Sequence, residues 1–265
     1  MKHIWIVFIA CMVLWLGCES IDNPGADNPL DPDNPGYIEP EVTIVDGPAP
    51  DMVESIPNVT FIVGLNETAQ EFVYRLNQSV WSSWRTDTVV TLTFLDEGDY
   101  LFECKARNTV GIEGQIIGST FRINAITGPA LRFYPRKVSV APNEEFTVEV
   151  WAEEVNNLAG AEVEIPINTD VLEFISVDYL SILGEAGNLL CVNEDTPGTA
   201  LFKSTQYRVG QPATVSGSGS LMRLTFKFKG AQSSQLAFST NCAMLDSAMQ
   251  AIPIHELVGL EIVKE

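Results

Sequence analysis

After residue 40, apolar and polar residues alternate along most of the chain. Val59, Phe61 and Val63 fall on every second position, and so do Phe72, Tyr74 and Leu76. Val90, Leu92 and Phe94 repeat the pattern, and Tyr100, Phe102, Cys104 and Ala106 extend it over a longer run. A period of two places such residues on one side of a strand, with polar neighbours on the other. Further strands are expected over 131–140, 146–150, 161–167, 172–177, 200–205, 221–228, 236–238 and 257–263, with the first turn supplied by Pro142, Asn143, Glu144 and Glu145. Turn clusters separate the runs at intervals that suit sandwiches, and no long helical period interrupts them. The fold class is therefore all-β. Two β-sandwiches are expected, at 41–126 and 129–265, divided at Gly128 and Pro129.

The first 40 residues break this pattern. Lys2 is followed by an uncharged apolar run from Ile4 to Leu16, and charge resumes at Glu19. A basic start, a short apolar stretch and a small residue before the cut describe a secretory signal, expected over 1–17. The run is shorter than the ~20 apolar residues that span a bilayer. Leu16, Gly17 and Cys18 resemble a lipobox, the cleavage site of bacterial lipoproteins, although Trp15 stands where that family favours Leu. The resemblance implies a covalent lipid on Cys18 and a chain exported and held at a membrane, at the outer membrane or cell surface of a bacterium. An ordinary signal peptide cut nearby is the alternative. Residues 18–40 repeat Asp-Asn-Pro three times. Proline blocks ladder hydrogen bonds and the acids repel one another, so this segment is expected to be an extended tether.

Charge and scarce residue types narrow the chemistry. The formal net charge is −20, which repels phosphate backbones and argues against nucleic acid as a partner. The two histidines are His3, inside the signal, and His255, which leaves little for a catalytic triad or a histidine-metal site. Glu144–Glu145 and Glu153–Glu154 are adjacent acids, and neighbours on a strand face opposite ways, unlike the facing carboxyls of a glycosidase. The Gly217 and Gly219 segment reads as a loop rather than a phosphate cradle, because no helix follows. No catalytic residue, metal or cofactor other than the lipid is assigned. Beyond Cys11 and Cys18 the cysteines are Cys104, Cys191 and Cys242, without metal-ligand spacing. Cys104 shares a face with Tyr100 and Phe102 and is expected to be a buried thiol.

Two resemblances add to this reading. Phe72–Leu76, Trp81-Ser82-Ser83-Trp84 and the stretch Leu95–Asn108 make 41–126 similar to fibronectin type III and bacterial Ig-like domains of the three-Y type. Leu95, Gly98 and Tyr100 look like a tyrosine corner. Four pieces resemble the cohesin family in order: Val138–Val150, Leu158–Phe174, Ser220–Gly230, and Leu245 to Ile254. The resemblance implies a jelly-roll sandwich over 131–263 that binds dockerins, small calcium-loaded helical modules, and it links the chain to polysaccharide degradation. Its strand order places Cys191 and Cys242 toward opposite edges of one sheet, so both are expected as free thiols. In the family an Asn and an Asp on the third strand receive hydrogen bonds from the dockerin. Aligned on Val171, Leu172 and Glu173, these positions fall on Gly160 and Glu162, so the chain departs from the pattern at the first. Alternation turns Val163, Ile165 and Ile167 inward and Glu162, Glu164 and Pro166 outward. With Phe202 inward, Leu201 and Lys203 face out on the strand that the family places beside the third. The candidate partner face is thus Gly160, Glu162, Glu164, Leu201 and Lys203. Carbohydrate binding through Trp81, Trp84 and Trp151 is an alternative, since sugars stack on exposed aromatic rings. A structural spacer is another.

Overall fold

The computed structural model describes residues 28–184, 188–194, 196–210 and 213–265. The signal, Cys18 and the tether up to residue 27 lie outside the described residues. The described part of the tether is not extended as expected: the Asp31, Asn34 and Tyr37 N–H groups donate to the Asn28, Asp31 and Asn34 carbonyls at 3.0, 2.9 and 2.9 Å, closing successive turns. Among the described residues every extended element is a strand, and the chain is all-β. It gathers into two compact units: 28–46 with Phe61–Val90 and Leu101–Ser119, and Gly47–Thr60 with Thr91–Tyr100 and Thr120–Glu265.

Seven strands precede residue 124: β1 (Val42–Asp46), β2 (Met52–Glu54), β3 (Val59–Leu65), β4 (Glu71–Leu76), β5 (Val89–Leu92), β6 (Gly98–Arg107) and β7 (Ile117–Ile123). They form a three-stranded sheet, β1-β3-β5, and a four-stranded sheet, β2-β7-β6-β4. Alternation is obeyed closely on β3, where Val59, Phe61 and Val63 are buried and Thr60 and Ile62 are exposed. Phe61 of β3 stacks on Phe102 of β6 at 4.0 Å between ring centroids. The expected tyrosine corner is present: the Tyr100 hydroxyl donates to the Asp96 carbonyl at 3.0 Å. Cys104 is fully buried, and burial pushes its thiol up to about 12.

Thirteen strands follow: β8 (Ala130–Tyr134), β9 (Lys137–Val140), β10 (Glu145–Leu158), β11 (Gly160–Pro166), β12 (Leu172–Asp178), β13 (Leu189–Glu194), β14 (Leu201–Arg208), β15 (Val215–Phe228), β16 (Ser234–Leu236), β17 (Ala243–Leu245), β18 (Ala251–Ile252), β19 (Glu256–Val258) and β20 (Leu260–Lys264). Two five-stranded sheets, β12-β15-β10-β8-β19 and β13-β14-β11-β17-β18, enclose the core, and a small sheet β16-β20-β9 accompanies them. This is a jelly-roll sandwich. Phe174 on the first large sheet meets Phe202 on the second at 5.2 Å, and Phe226 joins them. Val148, Val150, Val163, Ile165, Leu224 and Phe228 fill the same core.

Three expected boundaries differ, each for a backbone reason. The strand expected over 131–140 divides at Pro135, which has no N–H to donate. Its halves enter different sheets, β8 beside β10 and β9 beside β20. The strand expected over 257–263 divides at Gly259, so that β19 follows β8 and β20 follows β9, both in parallel. The segment around Gly217 and Gly219, expected as a loop, is the start of β15 and pairs with β10 through three register shifts. At those bulges serine hydroxyls replace ladder carbonyls: Ser218 accepts from the Glu154 N–H at 3.0 Å, and Ser216 from the Asn157 N–H at 3.1 Å.

Candidate functional site

The outer face of β13-β14-β11-β17 is built in cross-strand rows. Register places Leu190, Tyr207, Gly160 and Leu245 in one row. Val192, Thr205, Glu162 and Ala243 form the next, and Glu194, Lys203 and Glu164 the third. Leu201 and Pro166 close the series. Beneath them Phe202, Val163, Ile165 and Met244 point into the core. All five candidate face residues therefore share one sheet surface, and strict alternation on β11 and β14 is what puts them there.

The rows differ in character. Leu190 is 58% exposed and Val192 64%, so two aliphatic side chains stand open on the same side of one strand. Glu162 is exposed and its carboxylate makes no hydrogen bond or ion pair among the described residues. Glu164 is held: Asn241 donates to it at 2.9 Å, and Lys203 lies 3.4 Å away. Hydrogen bonds from Asn241, Ser239 and Lys203 keep its carboxyl below the usual carboxylate range, so it stays charged through mild acid. Its contribution to stability is present above the ordinary carboxylate pKa and lost as pH falls through the lowered value.

Gly160 is in contact with its neighbour. A Cβ on Gly160 would meet Tyr207 Cδ2 at 2.6 Å and Cε2 at 3.2 Å. The tyrosine ring therefore lies directly over the glycine, and the apolar row runs unbroken from Leu190 to Leu245. Sequence reasoning missed Leu190, Val192, Tyr207 and Leu245. Leu189, Leu190, Cys191 and Val192 form an apolar run without alternation, so no period marked the strand or its outward side. On the inner side of β14, Gln206 is 1% exposed and neither amide atom has a hydrogen-bond partner among the described residues, a cost of about 1–3 kcal/mol.

The tryptophans lie elsewhere. Trp81 is half-buried, with the Arg75 guanidinium 4.3 Å and the Lys105 ammonium 5.0 Å from its ring centre. Trp84 has Arg107 at 4.1 Å and Lys105 at 6.0 Å. Trp151 sits on the outer side of β10 beside Tyr134, with Arg132 4.7 Å from its ring and its indole N–H donating to Glu149 at 2.9 Å. Arg132 in turn is buried against Glu153. Cys191 and Cys242 are free thiols, on β13 and beside β17, and burial raises both. A cleft of about 480 Å³ opens at the β17–β18 edge between Cys242, Met244, Ile252, Ile254 and His255. Among the described residues no His, Cys, Asp and Glu side chains gather into a group that would hold a metal.

Comparison with known proteins bears on this sandwich. Residues 133–255 match the model of the family described as Cohesin domain. This segment belongs to the cohesin family. A cohesin domain is a non-catalytic module that docks other proteins, which gives the outer face of β13-β14-β11-β17 its interest. Similar solved structures include the sixth cohesin of Acetivibrio cellulolyticus scaffoldin B in complex with a mutant Cel5 dockerin: 19% identity, 52% of this chain and 100% of that one, TM-score 0.43. A type II cohesin from the cellulosome of the same organism has 13% identity over 49% of this chain and 94% of that one, with TM-score 0.42. A non-cellulosomal cohesin from the archaeon Archaeoglobus fulgidus has 15% identity over 51% and 90%, with TM-score 0.40. Comparison with curated proteins gives no match.

Proposed function

We propose that the chain is an exported lipoprotein, anchored through Cys18, whose cohesin domain presents the β13-β14-β11-β17 face to a dockerin-type helical module. The observation that carries this reading is the open face itself. Exposed Leu190 and Val192 on β13 lie across β14 from Glu162, whose carboxylate makes no hydrogen bond or ion pair among the described residues, on a sheet whose β11 and β14 inner side chains are buried. Apolar surface next to unpaired charge is what a docking partner covers. In this reading the Pro-rich tether sets the reach of the face from the membrane, and the first sandwich acts as a spacer. A docked enzyme that degrades polysaccharide fits the family resemblance.

Calorimetric titration of the chain with purified, calcium-loaded dockerins, the Cel5 dockerin among them, tests it. A saturable one-to-one complex is expected, and the Glu162→Ala, Leu201→Ala double variant should weaken it at least tenfold. An unchanged affinity in that variant would remove this face from consideration.

A further inference from the structure

The tyrosine laid over Gly160 has a chemical consequence for the partner. Cross-strand aromatic cover of a glycine is known to support a strand that lacks a side chain. Here the cover sits at the centre of an open face, not at a protected edge. Tyr207 is flanked by Leu190 on β13 and by Gly160 and Leu245 on the other side. The row presents a continuous apolar surface across four strands, with the Tyr207 hydroxyl as its one side-chain polar atom.

The next two rows carry carboxylates, Glu162 in the first and Glu164 and Glu194 in the second. Successive outward positions on a strand lie ~6.7 Å apart. Glu162 is therefore one such step from the Gly160 and Tyr207 row, and Glu164 and Glu194 are two steps away. Lys203 is committed to Glu164, so Glu162 and Glu194 supply the open negative charge. A helix lying along the strand direction rises ~1.5 Å per residue, so its positions i, i+4 and i+8 fall ~6 Å and ~12 Å along the same line. An aliphatic residue at i meets the tyrosine row, and Lys or Arg at i+4 and i+8 meets the carboxylates.

We infer that Tyr207, held flat by Gly160, is the specificity-determining residue of this face, and that it selects an amphipathic helix with an aliphatic residue at i and basic residues at i+4 and i+8. This inference rests on the docking function proposed above.

The test is a selection. A calcium-loaded dockerin, displayed on yeast with its helix surface randomised, is sorted against the wild-type chain, Tyr207→Ala, Tyr207→Phe and Gly160→Ala. Wild type and Tyr207→Phe should enrich aliphatic residues at one position with Lys or Arg four and eight residues on. Tyr207→Ala, and Gly160→Ala through displacement of the ring, should lose the aliphatic preference while keeping the basic one. Clones selected on wild type should bind Tyr207→Ala about thirtyfold more weakly, the size of a hot-spot truncation. Circular dichroism separates a folded variant from a damaged one, and Tyr207→Phe supplies a second, conservative comparison. The same enriched residues on wild type and Tyr207→Ala would overturn the inference and leave docking standing. Failure of any clone to bind the wild-type chain would overturn docking itself, and the inference with it.

Discussion

Two sheet surfaces of this protein use the same ingredients to opposite ends. On the outer side of β4 and β6, Trp81 and Trp84 alternate with Arg75, Lys105 and Arg107. Each cation also has its carboxylate: Arg75 bonds Glu103 at 2.9 Å, Arg107 bonds Glu71 at 2.6 Å, and Lys105 pairs with Glu113. Ring faces and charges on this surface are consumed by one another. On the outer side of β13, β14 and β11 Leu190 and Val192 stand exposed, and Glu162 makes no hydrogen bond or ion pair among the described residues. The first surface is closed by its own side chains. The second has no such closure, and in the proposed function a docked partner supplies it. Aromatic and charged residues on a sheet therefore do not mark a binding site by type. What marks one is whether their partners are already present.

Removing the rings of the closed surface gives the largest effect. Trp81→Ala with Trp84→Ala should cost about 2–4 kcal/mol, since half-buried rings and their cation contacts are lost together. Chemical denaturation measures the loss, and dockerin affinity in the folded variant should be unchanged. A loss of binding with stability intact would reverse the roles of the two surfaces. The mirror experiment is Leu190→Asp with Val192→Asp on the open surface. Both side chains are mostly exposed, so the denaturation midpoint should barely move while docking weakens at least tenfold. A collapse in stability would mean that β13 needs those residues for its own packing.

The smallest effect compares two carboxylates. Glu103→Gln leaves the mostly buried Arg75 without its ion pair and should cost about 1 kcal/mol of stability. Glu162→Gln should leave stability unchanged and weaken docking only a few-fold, with a flatter dependence on salt, because an exposed rim charge acts largely through long-range attraction. Denaturation and titration at two salt concentrations distinguish these outcomes.

Much of this was legible in the chain. Alternation announced β3, β4, β6 and β11, because a sheet buried on one side forces a period of two; β14 buries the polar Ser204 and Gln206 beside Phe202, so its pattern is not apolar–polar. The same rule set Glu162, Glu164, Leu201 and Lys203 on the outside. The Leu95–Tyr100 step announced a tyrosine corner, because its donor and acceptor lie four residues apart and need no distant partner. The β13 strand was not legible, since an edge strand with apolar residues on both sides has no period to detect. Nor was the start of β15, whose glycines and serines resemble a turn until Ser216 and Ser218 meet the bulges of β10.

By itself, then, the sequence determined the all-β class, the family-like order of the second sandwich and the inward or outward sense of most strand residues. These depend on neighbours along the chain. Tertiary structure alone decided which outward residues share a row, that Tyr207 covers Gly160, and that the cations of β4 and β6 close over Trp81 and Trp84. These depend on register between strands far apart in sequence. A one-residue slip, which leaves the periodic pattern of each strand intact, would exchange one face for the other.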